Sequence, residues 1–142
     1  MYLFDEPVSV QMQDLPLADL WLFLPFGYLL TILVETPVLL AGLPGKLTVR
    51  QRLLCGVWLT ACTYPIVVLV LPAVFFGAPR WQYLSVAETF APAAECFLFW
   101  IAFKGRIEGR ELVQSFIAIT IANLASFGFG EVLNHFQWFG LF

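Results

Sequence analysis

The chain has 142 residues, of which 61 % are hydrophobic and only 12 % charged, and its mean hydropathy is +0.85. A soluble domain carries about 25 % charged residues, and one of this size buries only part of its surface, so a soluble globule, a disordered chain and a coiled coil are all excluded. Seven Lys and Arg against ten Asp and Glu leave a net charge of −3, which offers no basic footprint to a nucleic acid.

What remains is an all-α, polytopic integral membrane protein whose first partner is the lipid bilayer. A membrane helix needs about 20 mostly apolar residues. The chain opens with residues 1–20, an acidic segment with Asp5, Glu6, Asp14 and Asp19 and no compensating cation. Within it, Asp14 before Leu15 and Pro16 reads as a helix cap. No basic region precedes a short apolar core with a small-residue cleavage site, so the first span is expected to persist. Spans are then predicted at residues 21–43, 53–76, 82–103 and 112–135. The runs are continuously apolar, without the period-two alternation of barrel strands. Their short connections predict an antiparallel four-helix bundle forming a single membrane domain over residues 1–142. No internal repeat, low-complexity tract or linker is legible. The tail around Trp138, together with Trp21, Trp81 and Trp100, falls where an interfacial aromatic belt belongs.

The cations set an orientation. Lys46, Arg50 and Arg52 lie between the first two spans, and Lys104, Arg106 and Arg110 between the last two, whereas Arg80 alone lies in the middle connection. The positive-inside rule therefore predicts both termini on the non-cytoplasmic side, in an inner or plasma membrane of bacterial type.

Four glutamates fall inside these spans: Glu35, Glu88, Glu95 and Glu131. A charge at the bilayer centre costs at least ~2.5–3.5 kcal/mol, and the predicted spans contain no Lys or Arg to pair with it. Burial without a cation favours a protonated, neutral carboxyl. A rise of about 1.5 Å per residue puts Glu35 and Glu95 within one turn of the midplane. Thr60 and Thr63 bracket the same depth in the second span, and Asn123 sits near the middle of the fourth. Thr31 precedes Glu35 by one turn, and Glu88 shares a helical face with Glu95. Carboxyls, hydroxyls and an amide in one layer suit protons or a hard cation. Glu88 and Glu131 extend a path outward, and the alternative is that the same groups hydrogen-bond the helices together. Pro37 and Pro92 beside the two central carboxyls suggest kinks that free backbone oxygens.

The remaining polar groups carry less. His135 follows Glu131 by one turn but is the only histidine, which argues against a bis-histidine haem. Cys55, Cys62 and Cys96 form no C-x-x-C pair and read as small apolar residues. Ala118, Ala122, Ser126 and Gly130 recur every four residues, a small-residue ladder for close helix packing within the chain or with a second copy. No phosphate loop or nucleophile elbow is present. The sequence specifies neither a metal nor a cofactor. The leading expectation is a non-enzymatic transport or translocation component that handles protons or a small cation, as a homo-oligomer or beside other membrane subunits. The alternatives are a structural or assembly subunit of a membrane complex and, last, an intramembrane acid/base enzyme.

Overall fold

The computed structural model of the chain describes residues 17–136, with side chains from Trp21 onward. The acidic segment before residue 17, its Asp14 cap and the aromatic tail beyond Phe136 lie outside the described residues. The elements are α1 (Leu17–Gly42), α2 (Val49–Pro65), a π-helical turn (Ile66–Val70), α3 (Leu71–Val74), α4 (Arg80–Phe103) and α5 (Gly109–His135). Among the described residues there is no strand. The turn and α3 continue α2, so the chain makes four rods, each long and apolar enough to cross a membrane.

The second and fourth rods start three to four residues earlier than the apolar runs indicate. The missed first turns carry Arg50, Arg52, Arg110 and Glu111, charges that end an apolar run but not a helix. At α2 the start is fixed by Thr48. Its hydroxyl accepts from the Gln51 backbone N–H, and the Gln51 side chain accepts from the Thr48 N–H. This capping box satisfies two otherwise orphaned donors. One turn on, Arg52 donates to the carbonyls of Leu40, Pro44 and Leu47. It thereby neutralises the carbonyl-rich end of α1 and ties the connection down.

Among the described residues, the backbone changes helix type at proline only in the second rod. Helices α1 and α4 run unbroken through Pro25, Pro37 and Pro92. Between Pro65 and Pro72, by contrast, the backbone widens to π spacing, with Leu71 N–H reaching Ile66 O. In that spacing Val67 O would accept from residue 72, but Pro72 has no N–H. The Tyr83 hydroxyl of α4 supplies the missing donor at 3.1 Å.

The two halves of the chain share a pattern of burial that residue identities do not reveal. Buried positions recur at an offset of sixty residues: Gly27 and Ala87, Glu35 and Glu95, Leu39 and Phe99, Leu47 and Ile107, Cys55 and Ser115, Leu59 and Ile119, Thr63 and Asn123. Helix α1 packs on α2 and α5, and α4 packs on α5 and α2. The hairpins α1–α2 and α4–α5 thus bury corresponding positions, and each packs its first helix on the second helix of both. Only six residues are identical at this offset between positions 21 and 70: Trp21, Leu24, Glu35, Gly45, Arg50 and Thr60. An apolar background of interchangeable side chains hides the remainder.

The apolar core sits at the end of the bundle that holds the connections after α1 and α4. Leu39, Leu43, Leu47, Leu59, Phe99, Ile107 and Ile119 are all buried there. Gly42 lets α1 meet α5: a Cβ at Gly42 would come within 2.7 Å of the Ala118 Cβ. Ala118 and Ala122 of the small-residue ladder are buried inside this chain, whereas a Cβ at Gly130 would meet nothing within 4 Å. Gly42→Leu is therefore expected to lower stability by about 1–3 kcal/mol through overpacking. Gly130→Leu is expected to leave it unchanged, and denaturant unfolding in detergent micelles separates the two.

Candidate functional site

Glu35 and Glu95 are the best buried of the four glutamates, each about 2 % exposed. Each takes one donor from the second rod and one from α5. Thr60 Oγ1 lies 2.7 Å from Glu35 Oε2, and Ser126 Oγ lies 2.7 Å from Glu35 Oε1. Thr63 Oγ1 lies 2.7 Å from Glu95 Oε1, and Asn123 Nδ2 donates to Glu95 Oε2 at 2.8 Å. Thr60 and Thr63 are three apart on α2, as Asn123 and Ser126 are on α5, so each pair shares a helix face. Each face presents two rungs, one for each carboxyl.

The three hydroxyls share a feature that decides what this layer can do. Each also lies within reach of a backbone carbonyl: Thr60 of Gly56 O at 2.7 Å, Thr63 of Leu59 O at 3.2 Å and Ser126 of Asn123 O at 2.9 Å. A hydroxyl has one proton to donate. It donates to an ionised carboxylate, or it turns to the carbonyl and accepts from a protonated carboxyl. Both states of Glu35 and Glu95 therefore find partners with the heavy atoms in place. The arrangement accommodates the gain and loss of a proton by rotating hydroxyl groups alone.

A cavity of about 610 Å³ reaches from this layer to the opposite end of the bundle from the apolar core. Glu35, Thr60, Thr63, Glu95, Asn123 and Ser126 line it, and so do Arg80, Glu131, Asn134 and His135 at the surface. Glu88 lies on its wall, seven residues or about 10 Å along α4 from Glu95 toward that surface. Of the seven site residues expected from sequence, Glu35, Glu95, Asn123, Thr60 and Thr63 meet in one network, while Glu88 and Glu131 lie further along the same cavity. Glu131 does have a cationic partner: Arg80, the first residue of α4, reaches it at 2.7 Å across the mouth. Arg80 lay outside the predicted third span, which began two residues later. His135 is exposed and packs its ring edge-on to Phe136. Thr31 donates to Gly27 O in its own helix and only borders the cavity.

Two contributors escaped the sequence reading as site groups. Ser126 stands in the small-residue ladder, yet it is a carboxyl partner. Tyr64 enters the cavity because Gly27 leaves room: its hydroxyl occupies the space that a Cβ at Gly27 would need. The equal three-residue spacing of Thr60 with Thr63 and of Asn123 with Ser126 was the available signal for Ser126. The three cysteines are free, and among the described residues no three His, Cys, Asp or Glu side chains gather as metal ligands.

At the far side the layer is sealed. Leu39, Leu59, Phe99 and Ile119 fill the space beyond the carboxyls, and the connections are tied by Lys46 to Glu111 at 2.7 Å and by Gln114 to Gly42 O at 2.9 Å. The carboxyls thus form the floor of a vestibule open at one end.

No protein-family model, curated protein or solved structure matches the chain.

Removing donors from the layer has a definite expected cost. Thr63→Val and Asn123→Leu each strip one partner from Glu95, and each is expected to destabilise by about 1–2 kcal/mol. Thr63→Ser keeps the hydroxyl and is expected to stay within about 0.5 kcal/mol of the parent. Unfolding free energies in mixed micelles measure all three.

Proposed function

We propose that the chain is a multi-pass membrane protein whose Glu35–Glu95 layer binds and releases protons, or exchanges them for a small cation, as part of a transport or translocation unit. Its six cations beside one end of the bundle against Arg80 at the other favour an orientation with the vestibule facing outward. Access from one side to a buried carboxyl pair is what a proton-coupled carrier needs in one of its two states. Four helices alone enclose little more than this vestibule, so a homo-oligomer or a larger membrane complex is the working form.

The observation that carries this reading is the pair of buried carboxyls at the vestibule floor, partnered by neutral groups, three of which are hydroxyls that can turn either way. A charged carboxyl in hydrocarbon is expensive without a partner, so a bundle that keeps two needs a use for them. A purely structural use is the competing reading: protonated carboxyls hydrogen-bonded to Thr, Ser and Asn hold helices together.

Amide substitution separates the two. Glutamine preserves size and hydrogen bonding but cannot gain or lose a proton. In proteoliposomes loaded with a pH-sensitive dye and given a proton gradient, the parent chain is expected to dissipate the gradient. Glu35→Gln and Glu95→Gln are each expected to abolish that flux while helix content and assembly persist. Variants that assemble and conduct like the parent would assign the glutamates to packing.

A further inference from the structure

Protons alone do not account for the vestibule. A water molecule occupies about 30 Å³ of liquid, so a cavity of about 610 Å³ matches roughly twenty of them in volume and falls in the range of pockets that hold drug-sized molecules. Its wall suits an apolar body better than a hydrated inorganic ion. Tyr64, Tyr83, Phe127 and Phe129 line it together with aliphatic side chains, and the carboxyls of Glu35 and Glu95 stand at its floor. Its cationic side chain, Arg80, is already held by Glu131 at the mouth. The floor of the cavity can therefore turn negative by giving up a proton, and its sides are mainly aromatic and apolar, with Glu88 among them.

That combination has a chemical complement. Aromatic faces attract a cation through the ring quadrupole, most strongly where water is excluded, and an alkylated ammonium loses less hydration than a metal ion when it enters such a place. We infer that the vestibule binds an organic monocation, an ammonium carrying an apolar or aromatic body, with its charged head against the Glu35–Glu95 layer and its body along Tyr64, Tyr83 and Phe127. The cation replaces one proton: the carboxyl that meets it gives its proton to water, and the layer keeps the same net charge. The hydroxyls of Thr60, Thr63 and Ser126 then turn toward the ionised carboxylate, as their geometry permits. This inference rests on the proton-binding reading of the same layer and adds the class of molecule that competes for it.

The test uses a charged probe and its neutral isostere. Benzyltrimethylammonium and neopentylbenzene share shape and differ by one charge, the quaternary nitrogen of one being a carbon in the other. Calorimetric titration of the full chain in detergent is expected to show the ammonium binding about tenfold or more tighter than the hydrocarbon. About one proton should be released per cation bound, read in weakly buffered solution with a pH dye. Glu95→Gln is expected to weaken the ammonium at least about tenfold, and Tyr64→Leu, which leaves both carboxyls in place, to weaken it about threefold or more. Equal binding of the two probes, or no binding of the ammonium, overturns the inference, and the parent chain serves for that comparison without any variant. An acid–base titration of the same sample keeps the two readings apart. Proton uptake that is lost in Glu35→Gln but unaccompanied by ammonium binding rejects the organic cation alone, whereas absence of both rejects the proton-binding layer as well.

Discussion

The bundle depends on finding partners for two carboxyls buried among apolar helices, with no lysine or arginine among their hydrogen-bond donors. Four donors meet that demand, two on the second rod and two on α5. Because each carboxyl takes one from either helix, the glutamates of α1 and α4 hold the second rod and α5 in register. The spacing of three residues on both donor helices is thus a packing constraint as much as a chemical one. The apolar core closes one side of this layer, and the vestibule opens the other.

The sixty-residue recurrence of buried positions puts Glu35 and Glu95 at corresponding places in the two hairpins. It also shows where the halves have parted. Thr63 and Asn123 correspond, and both serve Glu95. Thr60 serves Glu35, while its counterpart Thr120 bonds back to Phe116 O in its own helix and faces outward. The π turn belongs to the first half only, because Pro65 and Pro72 have Ala125 and Val132 as counterparts. The tethering Arg52 likewise has an apolar counterpart, Leu112. One hairpin therefore carries the backbone irregularity and the tied connection, and the other stays a regular pair of helices.

Much of this was legible in the residues. Apolar length gave four helical rods, and the scarcity of charge inside them made each glutamate conspicuous. Depth counted along the helices brought Glu35, Glu95, Thr60, Thr63 and Asn123 to one level, and they do meet. What failed has physical reasons. Helix starts at Val49 and Gly109 fell among charges that hydropathy treats as boundaries. The recurrence of buried positions was hidden because a Leu, Phe or Ile fills the same buried position equally well, which leaves few identities. Ser126 was read by size rather than by its hydroxyl, and Arg80 was discounted because its long side chain reaches beyond its own place in the helix. The widening of the second rod followed from two prolines seven residues apart, a spacing that matters only once the π register is known.

The most direct test of this account is infrared difference spectroscopy of the chain in lipid across a pH step, with Glu35→Gln and Glu95→Gln as references. The account predicts a protonated-carboxyl carbonyl band that comes and goes with pH, that is lost or altered in each variant, and that changes without a matching shift in the backbone amide bands. A carbonyl band that never titrates, or one that titrates only as the backbone bands change with it, would contradict a layer that exchanges protons by turning hydroxyl groups.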